Sequence, residues 1–340
     1  MQSSQVGHLG INQAIGGCKL STLRAMPTVS ILDRKSKTVT LCHLDSAEAK
    51  GSPRVERRTD QLKNNLKVSA VVCSLNSEDT ITECLGSLRD SGVHEIILVD
   101  GGSKDKTLTK AEGLYDVLLK DPGLGLGFAR NLGVRVSTGT HILNFGSDNV
   151  ASKLTIELML NRLIESESAA VGALTRVTAP GYLGRSINFW RVTRFQAGYA
   201  TVVGTPSLFV ASVLSQNLFD TTRKFSDDGE LCDRLSELGH SFYNSEAIVY
   251  EIGRSNWNEV LGRWRSYGVS DWETFCGLQE KSAPASRLLK SIAHPFVVEL
   301  IRPIRGLSSV TDLQYIPFLM AITSIRYLSW FNTQRARHKK

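Results

Sequence analysis

The chain has 340 residues, room for about two domains, with 41% hydrophobic and 21% charged residues and a formal net charge of +7. That mixture excludes a collagen-like, coiled-coil or wholly disordered protein. Six cysteines (Cys18, Cys42, Cys73, Cys84, Cys232 and Cys276) are scattered with no C-x-x-C pair, which speaks against a cysteine-ligated zinc module and a disulfide scaffold and favours a reducing, cytoplasmic compartment.

The excess charge sits at the ends. Residues 1–66 carry 10 basic and 5 acidic groups, and residues 301–340 carry 7 and 1. The part between is net acidic, which argues against a nucleic-acid partner. Residues 1–32 hold no Asp or Glu and only Lys19 and Arg24 as cations. No charged stretch there precedes an apolar run, so a flexible leader is expected in place of a secretory signal. The run from Pro53 to Asp60 has the mixture of a linker, which makes residues 1–66 an N-terminal extension.

The character changes at Lys67. Val68-Ser-Ala-Val-Val-Cys-Ser-Leu75 is a short apolar, β-branched run, the pattern of a buried strand. Asp79 to Asp90 predicts a helix with Ile81, Cys84, Leu85 and Leu88 on one face. Further strands are expected at Glu95–Asp100, Tyr115–Leu119 and His141–Phe145. A helix is expected over Phe128–Val136, closed near Gly139 by a left-handed cap. Strands alternating with helices imply a parallel sheet covered on both faces.

Ligands of such sheets bind beyond the carboxyl ends of the strands. The first strand runs into Ser74-Leu75-Asn76-Ser77-Glu78 and the second into Asp100-Gly101-Gly102-Ser103-Lys104-Asp105. The fourth runs into Gly146-Ser147-Asp148-Asn149. Any one of these could be a simple turn or helix cap. Three at one sheet edge point to a polar ligand.

Over residues 67–250 the chain resembles glycosyltransferase family 2, inverting enzymes of the GT-A fold. Val71-Val-Cys-Ser-Leu-Asn-Ser-Glu78 resembles that family's first strand. Val99-Asp-Gly-Gly-Ser-Lys-Asp105 resembles its V-D-[DG]-x-S-x-D motif, and Gly125 through Ala129-Arg130-Asn131-Leu132-Gly133 its G-x-x-x-A-R-N-x-G run. Farther on, Val203 to Phe209 resembles the loop shaping the sugar and acceptor pocket. Phe219-Asp220 and Phe225 to Leu235 resemble the F-D and E-D-x-D-L-x-x-R-L signature. One motif departs. Where the family has L-D-x-D-D, this chain has Phe145-Gly146-Ser147-Asp148-Asn149.

The resemblance implies an α/β fold, a GT-A-like, Rossmann-type and mostly parallel sheet with helices on both faces and a C-terminal helical segment. Its domain would span 67–275, with a nucleotide-binding half (67–150) and an acceptor half (151–275). Ser74 and Asn76 would line a nucleoside pocket, Asp100 would accept hydrogen bonds from the base, and Arg130 would lie over it. Ser147 and Asp148 would meet the donor. Asp148 would also hold Mg2+ or Mn2+, which needs only one or two protein carboxylates when a diphosphate supplies the rest. Asp228 falls on the catalytic-base position, and Ser226 or Asp227 could cap its helix. The implied reaction moves a sugar from a nucleotide-diphosphate donor, a UDP-sugar by expectation, to a hydroxyl acceptor such as a lipid-linked glycan. The alternative is the same fold holding a nucleotide sugar with little or no turnover. Val260 replaces the glutamine of the processive Q-x-x-R-W element, favouring single-sugar transfer, and Trp264 is the tryptophan expected nearest the acceptor.

A nicotinamide fingerprint over Gly123-Leu-Gly125-Leu-Gly127 is disfavoured. It follows the third strand instead of the first, and Arg130 stands where its last glycine belongs. Phe195 to Phe219 is uncharged but too polar to span a bilayer. Residues 276–340 are expected to be helical. Leu313–Ile325, the aromatic residues Tyr327, Trp330 and Phe331, and the basic tail suit a helix lying on the inner face of a membrane, and equally a helix packed on the domain.

Overall fold

The computed structural model describes residues 66–223, 226–253, 256–276 and 285–338. The chain divides after Asp60, and all described residues belong to the second unit. The expected extension up to residue 65, its linker, Phe225 and the last two lysines lie outside the described residues.

Strand β1 (Val68–Ser74) leads through α1 (Ile81–Asp90) to β2 (Glu95–Asp100). Then come α2 (Thr107–Ala111), β3 (Val117–Lys120), α3 (Leu126–Val136), β4 (His141–Gly146) and β5 (Asn149–Val150). The second half holds α4 (Lys153–Glu165), β6 (Ala170–Val177), α5 (Gly181–Arg194), β7 (Gly198–Ala200) and β8 (Ser207–Val210). It continues with α6 (Ala211–Gln216), α7 (Asp227–Glu237) and β9 (Phe242–Glu251). The C-terminal helices are α8 (Trp257–Cys276), α9 (Ala285–Phe296), a π-turn (Val297–Ile301), α10 (Arg302–Arg305), a 3-10 turn (Val310–Tyr315) and α11 (Ile316–His338).

The sheet order is β3-β2-β1-β4-β8-β6-β9-β5, with β7 also paired to β9. Strands β3, β2, β1 and β4 are mutually parallel, β8 is antiparallel to both β4 and β6, and β9 is parallel to β6. Six of the nine strands therefore run one way, as the alternating pattern implied. Helices cover both faces. Ile81, Leu85 and Leu88 of α1 and Ile156 and Met159 of α4 pack on Val72, Leu98 and Leu143. On the other face Ala129 and Val134 of α3 and Leu231 and Leu235 of α7 pack on Val71, Ile97 and Ile142. Successive β1 residues thus feed opposite cores, which is why the strand reads as an unbroken apolar run.

Two expectations are corrected. Helix α3 ends at Ser137 in extended conformation, and Gly139 has no positive φ. A Cβ on Gly139 would lie 2.5 Å from Ser69 Oγ and 2.6 Å from the Lys67 carbonyl, so glycine serves close packing there and not a left-handed cap. Trp264 is 2% exposed in a third core with Trp190, Phe318 and Ile322. It fills volume between α5, α8 and α11 and offers no face to a sugar.

Candidate active site

The loops after β1, β2 and β4 are tied to one another by short polar contacts. Asn76, at φ +50°, donates its backbone N–H to Ser103 Oγ at 2.9 Å, and its Oδ1 accepts from the Lys104 N–H at 2.9 Å. Ser77 and Ser147 share a hydroxyl hydrogen bond of 2.9 Å, and Thr80 donates to the Ser147 carbonyl at 2.8 Å. Asp100 is 2% exposed and accepts from the N–H groups of Gly102 and Ser103 and from Ser103 Oγ at 2.6 Å. Its carboxylate therefore shapes the second loop. Ser74 Oγ is buried without a hydrogen-bond partner.

Gly146 explains the departure in the acidic motif. Its N–H donates to Asn149 Oδ1 at 3.2 Å, and a Cβ there would lie 2.7 Å from that oxygen and 2.8 Å from Asp148 Oδ1. The side chains of Asn149 and Asp148 occupy the spot where the family carries its first aspartate, and Asn149 is 4% exposed. Asp148 is half-buried, and its carbonyl accepts from the Ile252 N–H at 2.7 Å. Its carboxylate lies in the field of Arg191. Arg191 is 4% exposed and paired to Glu251, to which Arg263 also reaches at 3.5 Å. Burial, then the Arg263 charge, lowers Arg191 to about 10.

Among the described residues no three His, Cys, Asp or Glu side chains converge to hold a metal ion. The fit to a divalent cation is that of a single carboxylate, Asp148, sufficient only where a diphosphate completes the shell.

The second acidic cluster lies at the start of α7. Ser226 precedes the helix in left-handed conformation and makes no side-chain cap. Asp227 is also no cap. It is 6% exposed and pairs with Arg130 at 2.5 Å, while Arg130 donates to Thr205 Oγ1 at 2.7 Å and lies over the Phe219 ring at 5.1 Å. The guanidinium expected over a base is thus 7% exposed and committed to Asp227 and Thr205. Removing either ionic partner would strand the other charge in low dielectric.

Asp228, one residue on, is half-buried, and its Oδ1 accepts from the Gly229 N–H at 2.9 Å. A Cβ on Gly204 would stand 3.0 Å from its Oδ2, so the loop entering β8 abuts this carboxylate. Burial, opposed by Arg130 and reinforced by Asp227, holds the Asp228 carboxyl above the usual aspartate range. That shift suits a group that takes up a proton. Ser207 of β8 pairs with Asn144 near the carboxyl end of β4, so Asp148 and Asp228 border the same edge of the sheet. Cys73, at the end of β1, is pushed up to about 12 by burial, which leaves its thiol un-ionised.

Sequence reasoning missed Arg191, and it placed Thr205 in the pocket loop without its bond to Arg130. Each meets the site only through pairing across the fold.

A mixed sheet with helices on both faces and acids along one edge defines a GT-A-type protein. Residues 69–229, just under half of the chain, match the model of glycosyl transferase family 2. It is 35% identical over 89 residues to a PGL/p-HBAD biosynthesis glycosyltransferase of Mycobacterium tuberculosis, covering 24% of this chain and 35% of that protein. It is 28% identical over 183 residues to a poly(ribitol-phosphate) beta-glucosyltransferase of Bacillus spizizenii, covering 48% of this chain and 28% of that one. The matches thus span about a third of those relatives' lengths. Among solved structures, a mannosyltransferase from Pyrobaculum calidifontis, in complex with GDP-Man and Mn2+, superposes with a TM-score of 0.52 at 15% identity. That match covers 80% of this chain and 85% of that one and establishes likeness of fold.

Proposed function

We propose that this protein is an inverting glycosyltransferase that moves one sugar from a nucleotide-diphosphate donor, a UDP-sugar, to a hydroxyl of a glycan or lipid-linked acceptor. The observation that carries the reading is Asp228. It is a carboxylate raised by burial, steadied by the Arg130–Asp227 pair and set against the Gly204 loop on the sheet edge where donors of this fold class are expected.

In the proposed step Asp228 takes the proton of the acceptor hydroxyl as its oxygen attacks the anomeric carbon. The bond to the nucleoside diphosphate breaks on the opposite face. Ser74, Asn76 and Asp100 hold the nucleoside end, Asp100 by fixing its loop. Ser147 and Asp148 face the diphosphate, and Asp148 would hold Mg2+ or Mn2+. Such a cation would neutralise the leaving diphosphate when bound. Arg130 acts by keeping Asp227 and Asp228 in place.

The reading is tested by Asp228→Asn in a screen across nucleotide sugars. Transfer is lost while calorimetry shows donor binding retained. Wild-type turnover in that variant would remove Asp228 from the reaction. The second reading, a binding protein without turnover, draws on Gly146 and Asn149, and it predicts donor binding with no hydrolysis or transfer by the wild type.

The protein is further proposed to work at the cytoplasmic face of a membrane, touching it through residues 276–340. Free thiols at Cys73, Cys84 and Cys232 fit a reducing compartment. No helix among the described residues is long and apolar enough to cross a membrane.

A further inference from the structure

The helix expected at the membrane, α11, is largely committed to the protein. It buries Phe318, Leu319, Ile322, Arg326 and Trp330 against its neighbours, and Arg326 pairs with Asp271 at 2.6 Å and with Glu299. The unusual element is the helical run before it, from α9 through the π-turn to α10, residues 285–305.

That run packs Leu288, Pro295 and Val298 inward and still leaves a second apolar stripe outside. Its inward face holds Ser291 and Glu299, both 0% exposed. Ser291 Oγ accepts from Trp330 Nε1 at 2.6 Å and donates to the Asp271 carbonyl at 3.3 Å. Glu299 is paired with Arg326 and Arg194. Its outward face shows Leu289 at 67%, Ile292 at 38%, Phe296 at 47% and Val297 at 39% exposure, with Ala293 also exposed. These five stand at i, i+3, i+4, i+7 and i+8, the spacing that normally marks the buried stripe of a helix. Here Ser291 and Glu299 are held inside beside Leu288, Pro295 and Val298, and the stripe stays exposed among the described residues. On α11, Tyr327 donates to the Ile292 carbonyl at 2.5 Å, and the next turn exposes Leu328 and Phe331.

The charge around the stripe has one sign. Arg287, Lys290, Arg302 and Arg305 are exposed, and the sole carboxylate of residues 285–305, Glu299, is buried. At the far end a pocket of about 310 Å3 is lined by Val192, Thr193, Gln196, Arg302, Arg305 and Gly306. Phe296 and Arg305 are nine residues apart, about 13 Å along the axis. The run thus carries an apolar stripe in its first half and an arginine-lined cup at its end.

We propose that residues 285–305 are the surface by which the protein lies on an anionic lipid bilayer. Leu289, Ile292, Phe296 and Val297 enter the acyl boundary, and a lipid phosphate sits between Arg302 and Arg305. This inference rests on the membrane contact proposed above and names the element that makes it. Charge decides the occupant. A second copy related by a two-fold axis would set this cationic rim against itself, and residues 1–66 are themselves net basic. An anionic surface matches both the apolar stripe and its rim.

The test is co-sedimentation of the full chain with two kinds of vesicle, one of phosphatidylcholine and one of equal parts phosphatidylcholine and phosphatidylglycerol. Binding to the second, weakened by salt, is expected. The double variant Leu289→Asp/Phe296→Asp should lose at least about tenfold in partition with an unchanged thermal melt. Arg302→Ser and Arg305→Ser should each lose about fivefold on the anionic vesicles. If wild type binds neither vesicle, this inference and the membrane reading both fail. If wild type and the double variant bind anionic vesicles equally, the surface is wrong and the membrane reading survives. A wild-type dimer that the double variant converts to monomer would overturn the proposal in favour of self-association.

Discussion

Both the sheet edge and the C-terminal helices bury polar groups, and they do so to opposite ends. At the sheet edge hydrogen bonds tie the loops, Asn76 with Ser103 and Lys104, Ser77 with Ser147, and Asp100 with its own turn, beside the buried pairs Arg130–Asp227 and Arg191–Glu251. They set loops in place and leave Asp148 and Asp228 half-buried at a rim. In the C-terminal layer the buried groups are full charges, Arg326 with Asp271 and Glu299. They fasten α8 and α11 to residues 285–305 beside Leu288 and Val298, while Leu289, Ile292, Phe296 and Val297 stay exposed. The same cost of burying an unpaired polar group thus sets a ligand rim in one place and anchors a helical layer in the other.

Four experiments would break or sharpen that contrast. The largest effect belongs to Asp228→Asn, with transfer falling about 10²–10⁴-fold, the usual contribution of a positioned base, and the melting temperature little changed. Next comes Arg326→Met, which leaves Asp271 buried without its arginine and Glu299 with Arg194 alone. About 3–5 kcal/mol of stability should be lost in urea titration. A loss below about 1 kcal/mol would mean the network does not hold the layer.

Smaller is Gly146→Asp, which restores the family's residue on paper. Because its Cβ would stand 2.7 Å from Asn149 Oδ1 and 2.8 Å from Asp148 Oδ1, those two side chains must turn aside, and Asp148 gains a second carboxylate beside it. Donor affinity by calorimetry should drop, and a rise would show that the loop accepts an aspartate. The smallest effect is in the pH profile. Asp228 must be ionised to accept a proton, and burial holds its carboxyl above the ordinary aspartate range. Acidification should therefore reduce transfer with a midpoint above about 4, the ordinary aspartate value. A rate that stays level until that ordinary value is reached would mean the working base is a solvated group.

Much of the fold was readable in advance because hydrophobic period is local. Val68–Ser74 and Glu95–Asp100 are apolar on both faces and formed strands within a residue of expectation. Ile81, Cys84, Leu85 and Leu88 formed one face of α1. The placement of Gly146 in the metal-motif loop was also visible, though its reason, the approach of Asn149 and Asp148, was not. Pairings across distant segments were invisible. Arg130 and Asp227 are 97 positions apart, and no spacing rule announces their contact.

By itself, then, the sequence determined the alternation of strands and helices, the polar strand ends and the cationic termini, since each follows from neighbouring residues and their periods. Tertiary structure decided where each charge is spent: Arg130 on Asp227, Arg326 on Asp271 and Glu299. It also decided which apolar stripe meets the core and which meets solvent. An amphipathic helix encodes two faces, but which one turns inward depends on the partners that folding brings to it. For residues 285–305 those partners are an ionic network together with Trp272 and Trp330, and one apolar stripe is left outside.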